Sequence, residues 1–548
     1  MSKKLVALSL ALVMLLACLS GCGSNNNGGN SNGNANSNDP APSTDGDTGS
    51  SDNSGSASAK DVLTIAHVMD CGDMNPHGLT AFDYWKIKAQ CYETLFTLDF
   101  ETNELEPVLA TDYEWVDNCT LKINLRQGVQ FHNGYGEMTA EDVMFTLTEV
   151  YNSAASYPIA ELDLPNCEIV DDYTIILKTV KPYSPLINNL SNCSTAIFSK
   201  KGFEEDNGAF SKDIGTGPFV FDEWLEGESV TQVRFDDYWG GPAKLSKIVW
   251  KVIDSSTSRA IELQTGGCDI AYDVSVLDKE TLEGDGFTFE SFWTNDTNTL
   301  VFNCELPMFQ STTLRRAFAY AVDKEKFAVT GAYDADRATD LILDYKHPYA
   351  FKDVAEVEAA GGNIITFDLE KAKELFEEAG YFDPNSDIYN YTFTLEVSPG
   401  TTWERWCQAY KSDLESIGVH LDIVSYDYAT YTNDIKVSRD FELAPWGTAP
   451  VTGDFDYFAL HYFSESSASI NIPQCKNAEF DALVQQYRNT TDPAEQEEIA
   501  KKAQLILYDE YYQVPMYETV ETYAYVSNLK GFEEGMYQSP ILSSCYFE

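Results

Sequence analysis

The sequence predicts a mixed α/β protein whose folded body divides into two lobes. Three observations carry this reading. The chain has 548 residues, too many for one hydrophobic core, so two or three domains or lobes are expected. Hydrophobic residues make up 43% of it, a globular composition. From Lys60 onward, strand-like and helix-like runs alternate in one half and then, without sequence repetition, in the other.

Taken in order, residues 62–68 read as a buried strand and 83–96 as a helix. Thr139-Ala140-Glu141-Asp142 resembles a capping box opening a helix to about Tyr151. Residues 172–180 form a strand, and 218–225 with 229–235 a hairpin around Glu226-Gly227. The strand 247–253, the helix 255–264 and the strand 269–272 make a βαβ unit. In the second half, 299–303 is a strand and 312–329 one long helix. Helices at 368–379 and 402–417 stop at Gly380 and Gly418. Strands follow at 419–425 and 441–446. Helices 477–489 and 493–511 come last, the second capped by Asp492 with Pro493 at its first position.

The N-terminus has its own logic. Lys3 and Lys4 precede an apolar run over residues 5–17. That run falls short of the roughly 20 residues needed to span a bilayer and fits a signal peptide. Leu19-Ser20-Gly21-Cys22 then matches a lipobox, so residues 1–21 are expected to be removed and Cys22 to carry lipid. Residues 24–58 contain only Asn, Ser, Gly, Asp, Thr, Ala and Pro. They cannot bury enough surface to offset their ordering entropy and read, within 22–60, as a flexible tether. No other stretch is long and apolar enough to cross a membrane, so the chain is expected to be anchored rather than spanning.

Charge and motif content exclude several functions. The net charge of −51, from 87 acidic and 36 basic residues, argues against nucleic acid, which needs a basic footprint. Of the 12 Cys, ten lie in the body without a CxxC pair. Buried free thiols are favoured there over disulfides, which export would permit. HExxH, a phosphate-binding G-x-x-x-x-G-K loop and G-x-S-x-G are absent, and none of the six His is paired at i, i+4. No catalytic residue, metal or cofactor is therefore expected.

Several segments together resemble the family 5 extracellular solute-binding proteins, the oligopeptide and dipeptide binders of ABC importers. Leu121-Lys122-Ile123-Asn124-Leu125-Arg126-Gln127-Gly128-Val129-Gln130-Phe131-His132-Asn133-Gly134, followed by Thr139-Ala140-Glu141-Asp142-Val143, looks like that family's signature region. Gly215-Thr216-Gly217-Pro218-Phe219 with Tyr238-Trp239-Gly240-Gly241 is a second match. Asn303 with Leu314-Arg315-Arg316 and residues 317–323 is a third. Asn477-Ala478-Glu479-Phe480-Asp481 with Val514-Pro515-Met516-Tyr517 is a fourth.

The resemblance implies a type II periplasmic-binding-protein-like fold, two α/β lobes closing on a ligand about a hinge, with an extra domain inserted in lobe I. Mapped here, lobe I is 61–100, 207–300 and 518–548, the inserted domain 101–206 and lobe II 301–517. It implies a monomeric binding protein that hands a peptide to ABC permease subunits. The expected setting is the outer face of the cytoplasmic membrane of a Gram-positive cell, with lipid the sole membrane contact. A sugar, metal chelate or opine is the alternative ligand, and a chaperone-like surface role the alternative function. Peptide binders of the family place an Asp shortly after a Trp to pair with the ligand's ammonium. Here Trp446-Gly447-Thr448 leads to Ala449 at that position, leaving Asp454 or Asp456 as substitutes or the amine unread. Lys436 lies where some relatives hold an Arg for the ligand carboxylate, and equally reads as a solvated lysine. Trp446 reads as a stacking surface or as core, while Asn75 and Asn303 fall on segments that line the family's cleft.

Overall fold

The computed structural model describes residues 60–77, 82–99, 102–332, 337–448, 452–535 and 539–548. The expected signal peptide, Cys22 and the tether lie outside these, as does Ala449.

The first strand, β1 (Val62–His67), is apolar on both faces, with Leu63, Ile65 and Ala66 fully buried. Burial on both faces is the condition of a central parallel strand, and β1 lies between two parallel neighbours. These belong to one 11-stranded sheet. Its further strands are β2 (Phe219–Leu225), β3 (Ser229–Arg234), β4 (Lys247–Val252), β5 (Ile270–Tyr272) and β6 (Phe287–Phe302). From the second half come β7 (Thr392–Val397), β8 (His420–Ser425), β9 (Leu443–Thr448) and β10 (Gln513–Val526). The order is β2-β3-β4-β1-β5-β10-β6-β9-β7-β8, with Arg337–Ala338 pairing β10 off this path. The parallel trio β4-β1-β5 and the parallel trio β9-β7-β8 are joined by two long strands, β6 and β10, paired antiparallel along most of their length.

Separate cores build around this sheet. One gathers Leu300 to Tyr517, including a cluster of Phe302, Phe309, Phe318, Phe376 and Phe393. Another spans Leu95 to Ile197 beneath a four-stranded antiparallel sheet of its own. A third joins Leu63, Ile65 and Ile87 to Phe219, Trp250, Tyr272 and the C-terminal Phe547. The ten body cysteines are unbridged, and most are buried. Among the described residues no helix is long and apolar enough to cross a membrane.

Local signals placed most elements within a residue or two, and the exceptions have physical causes. The capping box at Thr139 and Asp142 opens Ala140–Tyr151 as expected. The helix expected over 83–96 ends at Lys88. Beyond it the Gln90 and Cys91 carbonyls accept from Phe219 and Gly217, and that of Glu93 from Ile197. Tertiary pairing thus replaces helical bonds. The helix expected over 312–329 is two helices, Thr312–Tyr320 and Lys324–Ala332. Asp323 divides them, its carboxylate accepting from the Lys326 N–H in the manner of an N-cap. The strand expected over 299–303 is the end of the 16-residue β6.

Candidate functional site

In open α/β sheets, ligands bind outside the carboxyl ends of the parallel strands. Here there are two such sets of ends, and the connecting strands direct them toward each other. β5 is antiparallel to β10, β10 to β6, and β6 to β9, so the two parallel trios run in opposite senses. Past the end of β5, the Asp273 N–H donates to the Thr522 carbonyl at 2.7 Å. The end of β9, Thr448, stands opposite Thr297. Between these points lies a floor made of residues 291–297 and 518–522. The ladder slips there: Trp293 faces Val520, and Thr297 faces Glu518. The extra residues on β6 form a bulge, a device that re-aims side chains.

Three acids mark this floor, and two have basic partners. Glu521 pairs with Lys86, a buried lysine on Phe82–Lys88 that also lies 3.2 Å from Asp83. Glu518 pairs with Arg337. Burial, and then nearby Asp344, push the Glu518 carboxyl up to about 7 despite that arginine. The third acid, Asp296, has Oδ1 shielded from solvent and without a hydrogen-bond partner. Next along β6, the Asn298 amide is fixed from both sides, donating to Thr519 Oγ1 at 2.6 Å and accepting from Trp403 Nε1 at 2.7 Å.

Of the residues singled out in the sequence, Trp446, Gly447 and Lys436 meet at the β9 rim of this floor. Trp446 is half-buried and stacks on Tyr431, with centroids 6.4 Å apart and planes at 25°. Lys436 Nζ lies 4.5 Å from the Trp446 ring centre, a cation–π geometry. No acidic partner of Lys436 is found among the described residues, and burial lowers its pKa. Gly447 sits so close to Asp296 that a Cβ there would fall 3.0 Å from Oδ1. Asn75 lies on the loop after β1, where it accepts from the His77 N–H and offers its carbonyl to Lys88.

Asn303, Asp454 and Asp456 are engaged inside the protein. Asn303 is 1% exposed and bonds the carbonyls of Arg439 and Phe441 and the N–H of Glu305. Asp454 caps Phe455–Leu460, with Oδ1 accepting from the Asp456 N–H and Oδ2 from Asn188. Asp456 Oδ1 accepts from Arg488 Nε at 2.6 Å and Oδ2 from the Tyr183 hydroxyl at 3.1 Å. These two acids therefore tie the 183–189 segment to the second half of the chain. Sequence reasoning missed Asp296, Glu518, Glu521, Lys86 and Arg337. The only hint was a run of polar residues, 294–299, ahead of an apolar strand end.

A cavity of about 760 Å³ borders one end of this floor at Ser291 and Phe292, lined also by Trp85, Glu93, Tyr238, Tyr523 and Glu534. Its volume suits a small ligand, but no residue between 301 and 517 lines it. A ligand there would not be gripped by both halves of the sheet, so the converging strand ends define the candidate site.

A floor of two crossing strands between two sets of facing strand ends defines a two-lobed ligand-trapping protein. Residues 104–469 match the model of the bacterial extracellular solute-binding proteins, family 5, and the chain belongs to that family. Heme-binding protein A of Haemophilus influenzae is 27% identical over 486 residues, covering 81% of this chain and 84% of the relative. Glutathione-binding protein GsiB of Shigella flexneri serotype 5b is 25% identical, covering 87% and 92%. The ABC transporter-associated periplasmic binding protein DppA of Helicobacter pylori, solved with the peptide STSA, superposes with a TM-score of 0.72. It is 25% identical and covers 89% of this chain and 98% of that one. Family membership places the chain among transport binding proteins rather than enzymes.

Proposed function

We propose that the chain is an extracytoplasmic lipoprotein that captures a peptide between its lobes and delivers it to an ABC-type import permease. The observation that carries this is the convergence of the two sets of carboxyl ends on the β6–β10 floor. A solute there is reached from lobe I (61–100, 207–300 and 518–548) and from lobe II (301–517). The chain crosses between the lobes near residues 300 and 518, and bending at these two crossings is the closure step. The 101–206 domain adds contacts across the gap, Asn188 to Asp454 and Tyr183 to Asp456.

Trp446 offers a ring face for stacking, Gly447 lets the Asp296 carboxylate lie against β9, and Lys436 offers a cation for a carboxylate. Asn75 stays a candidate on the lobe I rim. A peptide in extended form would also pair through its own backbone, as in strand addition. A non-peptide solute is the second reading. It is favoured by Ala449, which stands where the family's peptide binders show Asp, and by the heme-binding relative.

One strain tests capture and anchoring together. Cells whose sole copy carries Cys22→Ala are expected to release the protein into the medium. They should also lose most uptake of an isotope-labelled peptide hydrolysate, while the released protein still retains peptides. A variant that stays with the membrane would contradict the anchor. Undiminished uptake in a strain lacking the gene would contradict the transport role.

A further inference from the structure

We infer that Asp296 is the residue that receives a protonated amine of the solute, so that the captured molecule belongs to the class of organic cations and zwitterions bearing a free ammonium. The inference deepens the solute-binding reading above and rests on it.

Four features of the floor support it. Asp296 lies on the bulge of β6, between the carboxyl ends of the two parallel trios. Its Oδ1 is shielded from water and has no hydrogen-bond donor, although buried polar atoms are nearly always paired. Glu518 and Glu521 on the same floor each hold a basic side chain, whereas no Lys, Arg or His pairs with Asp296 among the described residues. The hydroxyl of neighbouring Thr448 is likewise buried without a partner, so a second polar atom beside the carboxylate also awaits one.

A buried, uncompensated carboxylate is costly unless a cation joins it. Burial accordingly pushes the Asp296 carboxyl up to about 6, opposed only by a bond from the Thr448 backbone. An ammonium suits this carboxylate best, because it supplies both charge and a donor. The position also accounts for Ala449. The acid that a peptide binder would carry just after its tryptophan is absent from β9 and present on the adjoining strand, beside Thr448. Gly447 is part of the arrangement, because a Cβ at that position would press on the Asp296 carboxylate at 3.0 Å.

The test compares wild type, Asp296→Asn and Gly447→Ala by native mass spectrometry. Each is offered a pooled synthetic library of two- to five-residue peptides, free at the N-terminus or N-acetylated. Wild type is expected to retain free-amine peptides over acetylated ones. Asp296→Asn should lose that preference, with retention of free-amine peptides falling about thirtyfold or more and retention of acetylated peptides little changed. Gly447→Ala should weaken the same preference, so the assignment stays testable if Asp296→Asn folds poorly. Both variants keeping the wild-type preference would overturn it. If wild type retains neither pool, the peptide reading fails separately, and the co-purifying solute decides. A solute with an ammonium that Asp296→Asn no longer holds sustains the assignment, and one without any cationic group overturns it.

Discussion

Replacing Asp456 with alanine is expected to cost the folded body about 3–5 kcal/mol, the usual consequence of leaving one member of a buried ion pair uncompensated. Asp456 is 2% exposed in its side chain and its partner Arg488 8%. The guanidinium also packs against the Phe463 ring, 4.8 Å from its centre, so it cannot turn to water without giving up packing. Tyr183, donating to the other carboxylate oxygen, would lose its acceptor in the same step. Urea unfolding followed by tryptophan fluorescence measures the loss. The double variant Asp456→Leu with Arg488→Met should recover much of it, because the charge left behind, rather than the missing contact, dominates the cost. If instead Asp456→Ala left stability unchanged and only weakened ligand retention, the acid would belong to the solute site and not to the scaffold.

Asp454 leads to the opposite expectation. Burial, and then the neighbouring Asp456, push its carboxyl up to about 7 from an ordinary 3.8. The folded protein holds this proton more tightly than the unfolded chain. The contribution to stability is therefore full below the unfolded value and is lost as pH rises from about 4 through about 7. Asp454→Asn removes the ionisation while keeping an N-cap side chain. It should stabilise the body at pH 8, on the order of 1–3 kcal/mol, with the gain shrinking as pH falls and vanishing below about pH 4. Thermal unfolding at the two pH values checks this. A variant that gains no more stability at pH 8 than at pH 4, relative to wild type, would contradict the assignment of a reluctant charge.

The two acids show how far a sequence can be read. Asp454 and Asp456 stand eight and ten residues after Trp446, and proximity made them natural candidates for the ligand. Their fate is decided by Asn188, Tyr183 and Arg488, which are remote in sequence. Local chemistry was legible where the partner is local. Thr139 finds Asp142 one turn later, and Asp492 caps the helix it precedes. Where the partner is distant, local patterning misled, as at Gln90 and Cys91, whose carbonyls serve Phe219 and Gly217 rather than a helix. β6 was recognised only at its apolar end, because the rest is defined by pairing with β10. Asp296 was illegible for the same reason: its meaning comes from Gly447 and Thr448 on another strand. Trp446, read from the sequence as a stacking surface or as core, is half-buried at the end of its strand and stacks on Tyr431, a partner fifteen residues away on another element.

The most direct test of solute capture between the lobes is mass spectrometry of the molecule that stays bound when the native protein is purified. The account predicts peptides with free N-terminal amines, present in wild type and depleted in Asp296→Asn. A single sugar, or a metal chelate without an ammonium group, recovered at one per protein molecule would contradict it.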